Sequence, residues 1–213
     1  MQKKIPKKRD LEIALSVIKP HPVPKVWLEQ YTIPPNNAAD ILHLAAFTFN
    51  DVVGKVVFDL GCGTGRLGIG AALLGAKEVV GVDIDTMSVK EARRNAKKFD
   101  VQDRTLWVAA DIDSIHGSCD TVIQNPPFGV QRRTIDRRFI QKALEVGKVV
   151  YSLHKSGESN REFINGFVKK CGGNVKGIFQ MTLIIPLTFK FHNRNKYPVK
   201  ADLYRIIKGK NVE

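Results

Sequence analysis

A glycine-rich stretch between a predicted strand and a predicted helix constrains the fold of this 213-residue chain most. The apolar run Lys55–Leu60 is predicted to be a buried strand and Arg66–Leu74 a helix, with the sequence DLGCGTG at residues 59–65 joining them. Glycine at every second position lets the backbone turn sharply and approach a ligand without Cβ clashes. This order of elements is typical of a nucleotide-type ligand site in an α/β fold.

The rest of the chain alternates between predicted strands and helices. Further strands are predicted at Glu78–Asp83, Thr105–Ala109, Cys119–Gln124, Val149–Leu153, Val175–Ile185 and Val199–Ile207, and helices at Asn37–Phe49, Thr86–Phe99, Arg138–Val146 and Ser159–Lys170. Strands separated by helices predict a mostly parallel sheet of seven strands with helices on both faces. The last two strands have no helix between them, so we expect an antiparallel pair at one edge.

Charge is divided unevenly along the chain, whose formal net charge is +13. Residues 1–26 carry +5, residues 27–130 carry −4 and residues 131–213 carry +12. We therefore predict a basic extension over residues 1–26, followed by one domain over residues 27–213. The separation of basic from acidic segments favours a polyanionic partner, and nucleic acid is the leading candidate. The alternative, a surface rich in Lys and Arg for solubility alone, is less favoured.

The composition also limits the cellular compartment in which we expect the protein to work. The chain has no apolar run of about 18 residues, the length needed to cross a bilayer, and we expect no membrane contact. Its cysteines Cys62, Cys119 and Cys171 are far apart. This spacing argues against a disulfide framework and a metal site, and it favours a cytoplasmic protein.

Acidic residues beside the glycines favour S-adenosylmethionine over NAD as the ligand. Residues 63–68 also match the dinucleotide pattern G-x-G-x-x-G, so the glycines alone leave both ligands open. Asp59 at the strand end can face a ligand ammonium group, whereas an acid beside a pyrophosphate would be repelled. Asp83 ends the next strand, where an acid meets ribose hydroxyls. Asp111 and Ile112 suit an adenine amino group and ring, although Asp111 could equally be a helix N-cap.

The tetrapeptide Asn125-Pro126-Pro127-Phe128 follows the fourth strand of the predicted domain. The prolines fix the backbone and lack N–H donors, which leaves carbonyls such as that of Pro126 free to accept a hydrogen bond. The Asn125 side chain adds a second acceptor, and the Phe128 ring adds a flat face for stacking. Together they suit a planar ring that carries an amino group, although a proline-rich turn is the alternative.

With these stretches in place, the chain is similar to class I S-adenosylmethionine-dependent methyltransferases and resembles the methyltransferase-like protein five family. The resemblance covers about residues 25–207 and rests on Leu28–Tyr31, Asp59–Ala71, Leu73–Ala76, Val82–Asp85, Asn125–Gly129, Val150–Lys155 and Phe189–His192. It implies a Rossmann-like class I methyltransferase fold that uses S-adenosylmethionine to methylate N6 of an adenosine in small-subunit ribosomal RNA. It also implies a small zinc-binding activator subunit on an apolar sheet edge, for which the strand at Val79–Val82 is the candidate.

The residues and the resemblance together give the predicted site. The predicted catalytic residues are Asn125, Pro126, Pro127 and Phe128. The predicted cofactor contacts are Gln30, Asp59, Gly61, Gly63, Thr64, Arg66, Leu67, Asp83, Ile84, Asp111, Ile112 and Asn125. The predicted substrate contacts are Tyr31, Arg132, Arg133, Tyr151, Lys190, Phe191 and His192, with Arg137 and Arg138 beside the substrate entrance. The family's Gln-Tyr-Pro-Thr segment reads QYTI at residues 30–33, so position 33 offers no hydroxyl.

Three other functions stay open at this point. A protein-glutamine methyltransferase, or one acting on another exocyclic amine, would use a similar tetrapeptide because glutamine also presents a planar amide. An NAD-dependent oxidoreductase is disfavoured by the carboxylate of Asp59 beside the glycines. A non-catalytic RNA-binding module would need the basic flanks but not Asp59, Asp83 and Asn125 together.

Overall fold

A seven-stranded sheet organises the protein in the order β3-β2-β1-β4-β5-β7-β6. The computed structural model describes residues 6–25, 28–128, 135–186 and 196–209. The strands are β1 Val56–Leu60, β2 Glu78–Asp83, β3 Thr105–Ala109, β4 Cys119–Gln124, β5 Gly147–Lys155, β6 Gly173–Pro186 and β7 Lys196–Lys208. The helices are α1 Lys8–Ser16, α2 Pro35–His43, α3 Arg66–Leu73, α4 Thr86–Lys98, α5 Ile135–Val146 and α6 Glu158–Lys170.

The first five strands are parallel, and β7 runs against both of its neighbours. This confirms the predicted mostly parallel sheet with an antiparallel pair at one edge. The pair is longer than predicted, and its pairing from Thr182↔Lys200 to Pro186↔Lys196 extends beyond the last β5 partner, Lys155. The predicted helix over residues 37–49 begins at Pro35 and changes to a π-helical turn at Leu44–Thr48.

Two apolar layers cover the two faces of the sheet. One layer joins helices α1 to α4 to side chains such as Val57 and Ile123, and the other joins α5 and α6 to Phe58 and Val122. Consecutive residues of β1 therefore point to opposite layers, as the two-residue period of a strand requires. The helices leave the carboxyl ends of β1 to β4 uncovered, which is where an open parallel sheet binds ligands.

The N-terminal segment adds one helix to the first layer. Leu11 and Leu15 of α1 and the following Ile18 are 0–1% exposed and belong to the core. Burying each such side chain stabilises a fold by about 1.5–3 kcal/mol, so residues 8–18 contribute to folding. An RNA-binding role for the basic extension over residues 1–26 stays a prediction. Within the described ranges, every helix is too short or too polar to cross a membrane.

Candidate active site

A cavity of about 240 Å³ opens at the carboxyl ends of β1, β2 and β4, where the strand order reverses direction. Every predicted cofactor contact lines this cavity. The other lining residues are His21, Leu28, Glu29, Tyr31, Thr32, Ile33, Cys62, Pro127, Arg138 and Phe139. The fold therefore brings the predicted contacts together, while their individual roles stay predictions.

The glycine-rich turn wraps one end of the cavity. Gly61, Gly63 and Gly65 have φ values of 69°, 53° and 86°, a left-handed conformation that side chains strongly disfavour. A Cβ atom on Gly65 would also lie 2.8 Å from the ring of Trp107. The backbone N–H groups of Gly61 and Cys62 both donate to the Val82 carbonyl, which fixes the turn against β2.

Asp59 is buried at the end of β1, beneath the glycine-rich turn. Its Oδ2 accepts a 2.7 Å hydrogen bond from the Gly68 N–H, and its Oδ1 has no hydrogen-bond partner among the described residues. Burial raises the pKa of Asp59 to about 7, with the Gly68 bond opposing that rise and the charge of Asp83 adding to it. The unpaired oxygen of a buried carboxylate favours a cationic ligand group in this cavity.

Asp83 at the end of β2 supports the turn from the other side. Its two carboxylate oxygens accept hydrogen bonds of 2.8 Å from the N–H groups of Gly63 and Asp85. Burial raises the pKa of Asp83, and these backbone bonds oppose the rise. The next side chain, Ile84, is 56% exposed and lines the cavity. A carboxylate beside an exposed apolar side chain suits a sugar hydroxyl and a flat ring.

Asp111 caps a short 3-10 helix, because its Oδ1 accepts a hydrogen bond from the Asp113 N–H at 3.0 Å. The N-cap reading is therefore correct for its local structure. The same Oδ1 lies 2.7 Å from Nη2 of Arg138, which also contacts Asp113. The Asp113 N–H and the Arg138 guanidinium lower the pKa of Asp111. Arg138 thus lines the cavity and pairs with two carboxylates there, while its expected place beside the substrate entrance stays a prediction.

Residues 18–25 and 28–33, which we call the strap, border the cavity and are held at several points. Arg66 donates to the carbonyls of Ile18 and Ile33 at 3.1 and 2.5 Å through its two terminal nitrogens, whereas its buried Nε has no hydrogen-bond partner among the described residues. The buried Asp85 accepts a 2.9 Å bond from the Gln30 amide and lies 2.9 Å from His21 Nε2. Sequence analysis missed Asp85, although its position two residues after Asp83 was visible.

Asn125 meets the strap through Tyr31. The Tyr31 hydroxyl donates to Oδ1 of Asn125 at 2.8 Å, and the Tyr31 ring lies 5.6 Å from the Phe128 ring at an angle of 47°. Burial raises the pKa of Tyr31, so its hydroxyl stays protonated and remains a donor. Asn125 and Pro127 line the cavity, whereas Pro126 and Phe128 are not among its lining residues. The tetrapeptide thus borders the same cavity as the glycine-rich turn.

One further predicted substrate contact that the structure describes, Tyr151, lies away from the cavity. Tyr151 is 0% exposed, and its hydroxyl donates to Asp51 at 2.6 Å and accepts from Arg205 Nε at 3.1 Å. Its predicted role in substrate stacking is therefore wrong, because a ring enclosed in the core offers no free face. The other predicted substrate contacts lie outside the described residues: Arg132, Arg133, Lys190, Phe191 and His192.

Known proteins are similar to this chain in sequence, and a solved structure is similar to it in fold. The family model of ribosomal protein L11 methyltransferase (PrmA) matches residues 42–126. The rRNA N(6)-adenosine-methyltransferase METTL5 of Danio rerio is 36% identical, and the match covers 93% of this chain and 98% of the relative. The corresponding Mettl5 of Drosophila melanogaster is 35% identical, with 93% and 95% covered. A solved structure from Pyrococcus horikoshii, described as a candidate RNA methyltransferase, has a TM-score of 0.89 and 41% identity, covering 99% of this chain and 100% of that one.

Proposed function

Because the chain belongs to the family of METTL5 rRNA N6-adenosine-methyltransferases, we propose that it methylates the N6 amino group of an adenosine in ribosomal RNA. Small-subunit rRNA is the proposed substrate, and the cytoplasm is the proposed place of action. The observation that carries this proposal is that two complementary groups line one cavity. The unpaired Asp59 carboxylate oxygen suits a cationic cofactor, and Asn125 offers an acceptor for an amino group.

The described residues fit S-adenosylmethionine, the cofactor of this family. Asp59 would hold the ammonium group, Asp83 the ribose hydroxyls, and Ile84 and Ile112 the faces of the adenine ring. The ionised Asp111, with its lowered pKa, would accept from the adenine amino group. When bound, the cofactor supplies a methyl group on a positively charged sulfur, which is open to attack by a nitrogen lone pair.

The acceptors of the tetrapeptide would prepare that lone pair. The N6 lone pair of adenine is delocalised into the ring, so the amino group is a poor nucleophile. Asn125 Oδ1 and the Pro126 carbonyl would hold the two amino hydrogens and turn the lone pair toward the methyl carbon. Loss of the extra proton can follow methyl transfer, so these residues would not need to include a strong general base. Such acceptors accelerate the reaction only if they bind the transition state better than the ground state.

Nucleoside analysis of methylated ribosomes tests this function. Small ribosomal subunits from a strain that lacks the gene would be incubated with the protein and radiolabelled S-adenosylmethionine. The RNA would then be digested and separated by mass spectrometry. We expect label in N6-methyladenosine, and label in another nucleoside would contradict the adenine assignment. Label in ribosomal protein would instead favour the protein-methylating function that the match to the L11 methyltransferase model suggests.

Removing the Tyr31 hydroxyl should lower turnover by about tenfold, within the range seen when a group that orients a reactive side chain is lost. An amide nitrogen cannot accept a hydrogen bond, so the buried Tyr31 proton is satisfied only when Oδ1 of Asn125 faces it. That orientation leaves a second lone pair of Oδ1 for the base. Tyr31→Phe keeps the ring against Phe128, so we expect unchanged thermal stability and affinity for S-adenosylhomocysteine.

A double-mutant cycle shows whether Tyr31 acts through Asn125. If it does, Tyr31→Phe should cause no further loss of turnover in an Asn125→Ala background. Full additivity of the two losses would contradict the coupling. A gain in activity for Tyr31→Phe would mean that the tyrosine blocks the base site instead of orienting Asn125.

We further propose that β3 is the docking edge for a small zinc-binding activator subunit. Residues 79–82, the predicted edge, lie within β2 between β1 and β3, so that assignment is corrected. The outermost strand on this side of the sheet is β3, and its Leu106 side chain is 54% exposed. An uncovered edge strand offers unpaired backbone groups to a partner strand. Leu106→Lys should therefore abolish stimulation by the subunit while unstimulated activity is unchanged. Equal stimulation of the variant would exclude this edge.

A further inference from the structure

Beyond its first turn, helix α4 exposes only basic side chains to solvent. Its exposed positions between residues 90 and 98 are Lys90, Arg93, Arg94, Lys97 and Lys98. The intervening residues 91, 92, 95 and 96 are all buried. We call these five side chains the α4 basic face. They belong to the part of the sequence whose net charge is negative, so the helix gathers cations that the average over residues 27–130 conceals.

The α4 basic face is little neutralised by its surroundings. Arg94 lies 3.2 Å from Glu91, and Arg93 donates to the Trp107 carbonyl. Within the described ranges, no ion pair joins Lys90, Lys97 or Lys98 to an acid. The spacing of the five residues also places like charges four residues apart three times, which destabilises a helix. The helix dipole favours cations in the last turn, which accounts for residues 97 and 98 but not for the other three.

The position of α4 ties this face to the cavity. The helix begins at Thr86, directly after Ile84 and Asp85, and both carboxylate oxygens of Asp85 are engaged by the strap and the first turn. At 1.5 Å per residue, the basic positions extend over about 12 Å and lead away from the cavity rim. The strap is also bonded to the last turn of this helix, since Asn95 bonds to both the N–H and the carbonyl of Lys19.

We propose that the α4 basic face binds the phosphate backbone of the substrate RNA outside the cavity. Exposed, weakly neutralised cations on one stripe suit a polyanion that is read by charge, without base contacts. An acidic protein surface is a weaker match, because the described face carries no exposed apolar side chain between residues 90 and 98. The inference rests on the proposed function for the identity of the polyanion, but its binding test does not require catalysis.

Two triple variants with the same loss of charge test the proposal. The first is Lys90→Gln, Lys97→Gln and Lys98→Gln on α4. The matched control is Lys169→Gln, Lys170→Gln and Lys176→Gln, which are exposed on α6 and β6. The measurements are the dissociation constant of a small-subunit rRNA transcript as a function of salt, the Michaelis constant for that RNA, and the affinity for S-adenosylhomocysteine.

We expect the α4 variant to reduce the slope of log affinity against log salt by about 2, since each lost phosphate contact accounts for about 0.7 on a single strand. The Michaelis constant for RNA should rise by about tenfold at low salt, with turnover at saturation and cofactor affinity unchanged. The control should change the slope by much less. Equal effects of the two triples, or no effect of the first, would overturn the proposal.

The outcome is separable from the outcome for the proposed function. If the wild-type protein methylates adenine and the two triples behave alike, the α4 proposal fails and the proposed function stands. If the wild-type protein binds the transcript through α4 but labels no adenosine, the proposed function fails while the binding surface is supported.

Discussion

Replacing Asn125 with alanine should reduce turnover on RNA by about a hundredfold or more, the loss seen when one preorganised polar group is removed from a reacting centre. The side chain lines the cavity with an oxygen that already accepts the Tyr31 hydroxyl at 2.8 Å. Alanine would remove the acceptor for the amino group and also leave the buried Tyr31 proton unpaired. Single-turnover methylation measures this loss, and calorimetry should give an unchanged affinity for S-adenosylhomocysteine within a few-fold.

Asn125→Asp is the matched control, because a carboxylate keeps an oxygen that both Tyr31 and an amino group can use. We expect it to retain more activity than the alanine variant. A turnover near wild type for Asn125→Ala would show that the tetrapeptide acts only by shape. Weakened cofactor binding together with lost turnover would place Asn125 in cofactor binding instead.

Replacing Asp59 with asparagine should weaken S-adenosylmethionine binding by about 10–100-fold, the value of a hydrogen bond to a charged group. Asparagine keeps the size of the side chain and, with its amide oxygen toward Gly68, the 2.7 Å backbone bond. It loses the negative charge that suits an ammonium group. Calorimetric titration gives the affinity, and thermal unfolding shows whether the variant folds.

The pH dependence of binding provides an independent measurement on Asp59. Its pKa is raised to about 7 in the unliganded protein, so the carboxyl is mostly protonated at pH 5.5. A cationic ligand needs the ionised form, and the affinity should rise with pH up to about 7 by at most about tenfold per pH unit. Asp59→Asn should remove this dependence. A wild-type affinity that is flat between pH 5.5 and 7.5 would falsify the pairing of Asp59 with the ligand cation.

The raised pKa of Asp59 also predicts that the unliganded protein becomes less stable as the pH rises, whereas its affinity for the cofactor increases. The pKa of an unfolded aspartic acid is about 3.9, and the folded value is about 7. A raised folded pKa means that this contribution to the free energy of unfolding is fully present below about pH 4 and is lost as the pH rises through about 7. Binding of the cofactor cation would offset that loss. Chemical denaturation with and without cofactor should therefore diverge most above pH 7.

Features that depend on neighbouring residues could be predicted from the sequence. The parallel sheet, the glycine-rich turn and the ends of β1, β2 and β4 follow from apolar patterning and local turn chemistry. Because the carboxyl ends of parallel strands meet at one edge, Asp59, Asp83 and Asn125 were expected at one cavity, and they line one. The resemblance added the identity of the acceptor, which the relatives then supported.

Contacts between distant parts of the chain could not be predicted in this way. Tyr31 was expected to stack on a base, but the structure pairs its hydroxyl with Asn125, which lies 94 positions away in the sequence. Arg138 was expected beside the substrate entrance, and its pairing with Asp111 could not be predicted. Tyr151 was given a substrate role that its burial excludes. In each case the residue type was informative, and its partner depended on which segments pack together.

The sequence by itself determined the sheet, the glycine-rich turn and the set of residues around the cavity, because period, turn chemistry and strand polarity are local properties of the chain. Only the tertiary structure decided that the strap bonds to Asp85, Asn95 and Arg66, and that Tyr31 reaches Asn125. It also decided that every exposed side chain of α4 between residues 90 and 98 is a cation, since burial depends on what packs against each face of the helix. Long-range packing thus sets which groups are paired and which are left for a ligand.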